Sequence, residues 1–264
     1  MLHRLGEKVL DSTLKNKIAE VLSDNNCTKM NLAYGNLLLA KFEQLDANYE
    51  GELNYLLEGH DYFFQSKERK FEAELKYWFD VLPRIEEIVS LEKSNESNSH
   101  IKPIFIVGFP RCGSTLIEKI ITSGTKRIPM GEETGIFNTL IHQGSPTKIV
   151  EAYQQRNLIQ AESDYTFTDK SLENFFYIGF IKKIFPSAKV INCTRDILSS
   201  IISILQTNLT ELAWAHHLKY IYQFFNLYHQ KIEHLKTTFP NFIYDLNYEK
   251  FINNPETESK KLME

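Results

Sequence analysis

The run Gly108-Phe109-Pro110-Arg111-Cys112-Gly113-Ser114-Thr115 sets a glycine-containing loop between an apolar stretch, Ile104–Gly108, and an amphipathic helix candidate at 114–123. A strand, a tight turn and a helix N-terminus in that order gather backbone N–H groups around one point, which suits a phosphate. The spacing is that of a triphosphate loop, but Ser114 stands where such a loop carries Lys. Without that Lys nothing grips a β/γ-phosphate pair, so the loop fits a short 5′-phosphate group better than ATP. Arg111 can hold an oxyanion bidentately, and Ser114 and Thr115 add hydroxyl donors. Cys112 raises a phosphatase alternative. That chemistry wants Arg six residues after its Cys, and position 118 is Glu118, so the thiol reads as a passive small residue. A tight turn with no ligand is the plain alternative for the whole loop.

Three further stretches carry candidate chemistry. Gly131-Glu132-Glu133-Thr134 puts two acids before a helix candidate. They serve either the helix dipole or, near a phosphate site, general-base work, and the spacing favours neither. Lys170, in Thr168-Asp169-Lys170, is either a solvated surface charge or a cation facing a transferring group. Arg195, in Asn192-Cys193-Thr194-Arg195-Asp196, precedes a helix candidate carrying Ser199, Ser200 and Ser203. Ser203 lies about two turns beyond Arg195 and can face the same side, which makes a second phosphate site. An Arg195–Asp196 ion pair is the plain alternative. His216 and His217 are adjacent, point to different helix faces and make a poor metal pair, and no metal-ligand cluster is evident.

The elements that must position these residues fall into two textures. Up to residue 91 the sequence reads as helical, with Pro83 the only proline. Apolar residues recur at helical spacing over 31–45, 49–64 and 67–89, and short Asn/Asp/Ser breaks separate these stretches. Paired helices with short turns predict an antiparallel hairpin. The first two resemble one degenerate tetratricopeptide repeat, with an ordinary helical cap as the alternative. The polar stretch 92–102, EKSNESNSHIK, reads as a linker. Beyond it, strands at 104–108, 189–193 and 242–245 alternate with helix candidates at 114–123, 134–142, 146–161, 172–185, 196–207 and 211–235. That alternation predicts an α/β fold with a P-loop-type parallel sheet flanked by helices, preceded by an all-α region. The expected domains are 1–98 and 99–264. Ligands of such sheets sit at the carboxyl ends of the strands, where the loop after Gly108 and the turn after Cys193 both lie.

The 264 residues, with 42% hydrophobic and 24% charged content, are ordinary for a globular protein able to bury a core. A net charge of −4 argues against a broad nucleic-acid surface. Cys27, Cys112 and Cys193 are scattered and odd in number, which suggests a reducing compartment. The N-terminal residues are charged throughout, unlike a signal peptide, and no apolar run approaches the ~18 residues of a membrane span. These features point to the cytoplasm.

Taken together, the segments resemble the sulfotransferase superfamily, nearest in pattern to the protein-tyrosine sulfotransferases and the bacterial sulfotransferases fused to tetratricopeptide repeats. FIVGFPRCGSTLIEKII resembles the family's 5′-phosphosulfate loop, usually PRSGTTL. GEET matches the segment carrying the catalytic Glu in the tyrosine enzymes. FTDKSLENFFYIGFIKKIFPSAKVINCTRD resembles the lysine segment, its helix and the 3′-phosphate strand, and NYEKFINNPE a late tyrosine-containing segment. The resemblance implies a fold and a chemistry: transfer of a sulfuryl group from 3′-phosphoadenosine 5′-phosphosulfate (PAPS) to a hydroxyl or phenol, without a metal. It implies that Arg111, Cys112, Gly113, Ser114 and Thr115 bind the 5′-phosphosulfate, that Arg195 and Ser203 bind the 3′-phosphate, and that Tyr248 helps hold the nucleotide. Glu133 would be the base and Lys170 would stabilise charge on the bridging oxygen. The acceptor would be a protein, sugar or small molecule, and the N-terminal helices could recruit a protein partner. Ser171-Leu172 departs from the Met-Pro or Asp-Pro that often follows the lysine, and Ile197 from the usual Pro or Gly. Family members continue past the point matched by Glu264, which implies a C-terminally incomplete chain. The alternatives are a P-loop nucleotide kinase and a catalytically inactive nucleotide- or partner-binding module.

Overall fold

The computed structural model describes residues 10–89, 98–124, 127–159 and 165–263. The chain forms two compact units, one from residues 1–79 and 201–224 and the other from 80–200 and 225–264. Most of the linker stretch, residues 92–97, and the first nine residues lie outside the described residues.

In the first unit, helices Ser12–Leu22, Lys29–Leu45 and Tyr49–Ser66 start at Asp11, Thr28 and Asn48. Each of these side chains accepts a first-turn N–H, from Leu14, Asn31 and Gly51 respectively, as an N-cap should. The polar breaks, read as Asn/Asp/Ser, thus start helices at Asp11, Thr28 and Asn48. The second and third helices form the expected antiparallel hairpin. A Cβ at Gly59 would lie 3.1 Å from the Ala33 carbonyl, and further along Gln44 donates to Glu52. Phe63 and Phe71 are fully buried beside His60 and His216, whose Nδ1 atoms are 2.9 Å apart. The third helix candidate does not run through. Helix Glu68–Lys76 widens to a π-turn, Tyr77–Val81, then a 3-10 turn, Leu82–Arg84, and a short helix, Ile85–Ile88. Pro83 has no N–H for the carbonyl four residues back and its ring clashes with it, so the ladder breaks there.

The second unit is a four-stranded, all-parallel sheet ordered β2-β1-β3-β4: β1 Ile104–Gly108, β2 Thr168–Asp169, β3 Lys189–Thr194 and β4 Ile243–Asn247. Three strands were expected; β2 has only two residues, too few for any periodic signal. β1 is central, with Phe105, Ile106 and Val107 fully buried, as a parallel strand covered on both faces should be. On one face Ile106, Ile191 and Leu246 pack with Ile117 and Ile121 of helix Ser114–Thr122 and with Phe251. On the other, the Phe105 ring meets Phe137 at 5.6 Å and Phe185 at 6.2 Å.

Several helix candidates are shorter than the sequence suggests. The one at 146–161 becomes a 3-10 turn, Pro146–Lys148, and helix Ile149–Gln155. Asn157 in the left-handed region (φ 58°) and a Leu158 N–H to Tyr153 carbonyl bond close it. The one at 172–185 splits into a 3-10 run, Leu172–Tyr177, and helix Ile178–Ile184. Helix Ile136–His142 starts two residues late because Gly135 adopts φ 60°.

Candidate functional site

The carboxyl end of β1 delivers the glycine loop, and β1–β3 pairing brings Gly108 opposite Cys193. Two loop residues are in the left-handed region, Arg111 at φ 71° and Gly113 at φ 89°. Gly113 is required twice over: its φ favours glycine, and a Cβ there would sit 2.3 Å from the Tyr248 ring. The loop runs straight into helix Ser114–Thr122, for which Gly113 is the N-cap and its carbonyl takes the Leu116 N–H. Arg111 and Thr115 are exposed, and Ser114 is buried. The Cys112 thiol turns inward and hydrogen-bonds Cys193, which together with burial pushes the Cys193 thiol well above its usual range. Cys112 is thus a packed side chain rather than an exposed nucleophile.

The turn after β3 lies against the same loop. Arg195 Nη1 donates to the Arg111 carbonyl at 2.9 Å, and its guanidinium lies 5.0 Å from the centre of the Tyr248 ring. Tyr248 therefore packs against both Gly113 and Arg195. Asp196 does not pair with Arg195 in the way the sequence allowed. It accepts the Ser199 N–H at 2.8 Å, capping helix Ile197–Thr207, and the Ser199 backbone and hydroxyl hold its carboxyl below the usual range. The Arg195 Nε is buried and has no hydrogen-bond partner among the described residues. A buried guanidinium donor left open beside a phosphate-type loop fits an anionic ligand. Ser203, expected beside Arg195, falls in the first unit, where it is half-buried.

Glu133 and Lys170 are brought together: Lys170 Nζ lies 2.7 Å from Glu133 Oε1. The lysine side chain is 6% exposed and the glutamate 69%. They border a cleft of about 320 Å³ that also includes Thr115, Glu118, Lys119 and Glu132. The loop's last hydroxyl and the ion pair therefore face one space. The helix-dipole alternative for the two acids does not hold, because helix Ile136–His142 begins beyond them and the intervening backbone is committed to β2. The Thr168 N–H donates to the Pro129 carbonyl, and the Lys170 N–H to the Glu132 carbonyl at 2.7 Å. Gly131 permits this approach, since a Cβ there would be 2.0 Å from the Thr168 carbonyl oxygen.

Two buried acids that sequence reasoning missed lie behind this pair. Glu118, 1% exposed, accepts from the Glu132 N–H at 3.0 Å and the Thr168 hydroxyl at 2.7 Å. Asp169, fully buried, accepts from the Thr134 and Tyr153 hydroxyls, each at 2.5 Å, and from the Ser171 N–H at 2.9 Å. The one signal available for Glu118 was an acid between Ile117 and Ile121 on the helix's apolar face. Burial pushes the Glu173 carboxyl above its usual range, and the charges of Asp169 and Glu133 add to the shift. Among the described residues no group of three His, Cys, Asp or Glu could hold a metal ion, and no helix is long and apolar enough to cross a membrane.

Residues 146–264 match the family model described as Sulfotransferase family. An uncharacterized protein of Aquifex aeolicus (strain VF5) is 31% identical over 191 residues, covering 62% of this chain and 25% of that protein. The chain thus spans about a quarter of the length of the curated relative it matches. The solved sulfotransferase STF1 from Mycobacterium tuberculosis H37Rv superposes with a TM-score of 0.37 at 10% identity, over 97% of this chain and 89% of that one. A superposition that loose decides nothing about this molecule. The matched segment holds Lys170, β3, Arg195 and Tyr248, and over residues 146–264 the chain is similar to the sulfotransferase family.

Proposed function

We propose that the protein transfers a sulfuryl group from 3′-phosphoadenosine 5′-phosphosulfate to a hydroxyl or phenol acceptor, with Glu133 as base and Lys170 as the cation at the bridging oxygen. The observation that carries this reading is the 2.7 Å Lys170–Glu133 pair, which shares its cleft with Thr115 of the glycine loop. When bound, the donor supplies an activated sulfuryl group whose leaving oxygen belongs to a phosphate. Arg111, Gly113, Ser114 and Thr115 would hold its 5′ end through loop amides, hydroxyls and the Arg111 fork. Arg195 offers its buried Nε to the 3′-phosphate, and Tyr248, stacked on Arg195, borders the nucleotide.

Glu133 is the more exposed member of the pair and can reach an incoming hydroxyl, whose proton it takes. Lys170 is held in a buried position where its charge acts in a low-dielectric surrounding. Sulfuryl transfer, like phosphoryl transfer, asks for positioning and charge stabilisation rather than covalent work by the protein. The test is retention on an adenosine 3′,5′-bisphosphate resin. The wild type should be retained, and Arg111→Ala and Arg195→Ala should elute early. Equal retention of all three, or thermal protection by ATP with magnesium but not by the bisphosphate, would replace this reading with a kinase-type one.

A further inference from the structure

Glu133 and Lys170 each sit one residue away from a second, fully internal contact. Thr134 follows Glu133 and Asp169 precedes Lys170, and the Thr134 hydroxyl donates to Asp169 Oδ2 at 2.5 Å. The direction of that bond is fixed. A carboxylate only accepts, so the Thr134 proton goes to it, while the same hydroxyl oxygen accepts the Ile136 N–H at 3.2 Å. On either side of this contact lie two more: the Lys170 N–H to the Glu132 carbonyl at 2.7 Å, and the Gly135 N–H to the Ser171 hydroxyl at 2.9 Å. Ser171 is in turn tied to Asp169 Oδ1 through its own N–H. Residues 132–135 and 169–171 are therefore stitched at three points, and the central one is away from solvent, with Thr134 6% exposed and Asp169 and Ser171 fully buried.

These stitches matter because the ion pair cannot itself hold the spacing during the reaction. If Glu133 takes a proton from an acceptor and Lys170 turns to a leaving oxygen, their mutual contact must open. We propose that Asp169 is a positioning residue for that chemistry: through Thr134 and Ser171 it sets the separation of Glu133 and Lys170 independently of the ion pair between them. The inference rests on the sulfotransferase reading for its readout in turnover, but the clamp is a property of this chain alone.

The carboxylate supplies its own control. Tyr153 donates to the same Asp169 oxygen at the same 2.5 Å, but it comes from helix Ile149–Gln155, which carries neither member of the pair. Thr134→Val should lower kcat on the order of 10²-fold, as expected when a reacting group shifts by about an ångström, with bisphosphate affinity unchanged. Thr134→Ser should restore it. Tyr153→Phe should lower melting temperature but leave kcat near wild type. Ser171→Ala provides a second break in the clamp if Thr134→Val fails to fold. A readout without turnover is the rate at which an amine-reactive acylating reagent labels Lys170, followed by peptide mass. It should rise severalfold in Thr134→Val and Ser171→Ala and stay at the wild-type rate in Tyr153→Phe. Equal losses of kcat, or equal labelling, in the Thr134 and Tyr153 variants would reduce Asp169 to a structural anchor. If the wild type transfers no sulfuryl group to any hydroxyl, the functional reading fails, and the labelling contrast still decides the positioning claim.

Discussion

Arg195 shows how much one side chain can join. Its fork reaches the Arg111 carbonyl while its face stacks on Tyr248, and Tyr248 in turn needs the absence of a side chain at Gly113. Lysine cannot combine a planar stack with a directed fork, so Arg195→Lys should weaken bisphosphate binding almost as much as Arg195→Ala; calorimetry on both variants measures this. Gly113→Ala forces a Cβ into the Tyr248 ring at a left-handed φ and should cost about 1–3 kcal/mol of stability, read by chemical denaturation, along with bisphosphate affinity. Glu133→Gln should lower turnover by roughly 10²–10⁴-fold with little change in melting temperature, because the carboxylate is mostly solvated. At this scale a residue's type restricts its chemistry, so Arg111, Lys170 and Arg195 could be singled out from the sequence. The sequence was not readable where burial creates the role. Nothing in the local pattern distinguishes Asp169 from a surface acid, since its hydroxyl partners Tyr153 and Thr134 lie 16 and 35 residues away, and for Glu118 the apolar face around it is the one local hint of burial.

At the scale of elements, β2 is the piece that the pattern of residues could not reveal. Two residues carry no period, and the strand exists because β1 offers an edge on one side and residues 129–132 close over the other. β1 and β3 were legible because each is an apolar run between turn residues, and β4 from the shorter stretch at 242–245. The helix limits were less so: left-handed Asn157 and Gly135, and Pro83, cut or delay helices whose apolar spacing continues beyond them. Gly131 is the point at which this scale meets function. Gly131→Ala places a Cβ 2.0 Å from the Thr168 carbonyl oxygen, so the segment carrying Glu132 and Glu133 must leave the β2 edge. The expected outcome is a folded protein by circular dichroism that binds the bisphosphate and has lost turnover. Retained turnover would show that the edge pairing is dispensable.

At the scale of the whole molecule, the helical hairpin and the parallel sheet form two units, each with its own buried polar centre. In the first, burial lowers the pKa of His60, and burial reinforced by His60 lowers that of His216 to about 3. Both rings are then neutral in the folded state near neutral pH. Because the folded pKa values are depressed, the stability they contribute is present above the ordinary histidine pKa and is lost as pH falls toward about 3. His216→Phe should flatten the decline in stability between those limits, measured by denaturant titration at a series of pH values. In the second unit the central claim is that the loop, Arg195 and the Glu133–Lys170 pair form one sulfuryl-transfer site. The most direct measurement is release of adenosine 3′,5′-bisphosphate from the phosphosulfate donor in the presence of tyrosine peptides, sugars and simple phenols, comparing wild type with Glu133→Gln. Acceptor-dependent release by the wild type, abolished in the variant while bisphosphate binding persists, is the predicted result; tight bisphosphate binding with no acceptor-dependent release in either protein would contradict it.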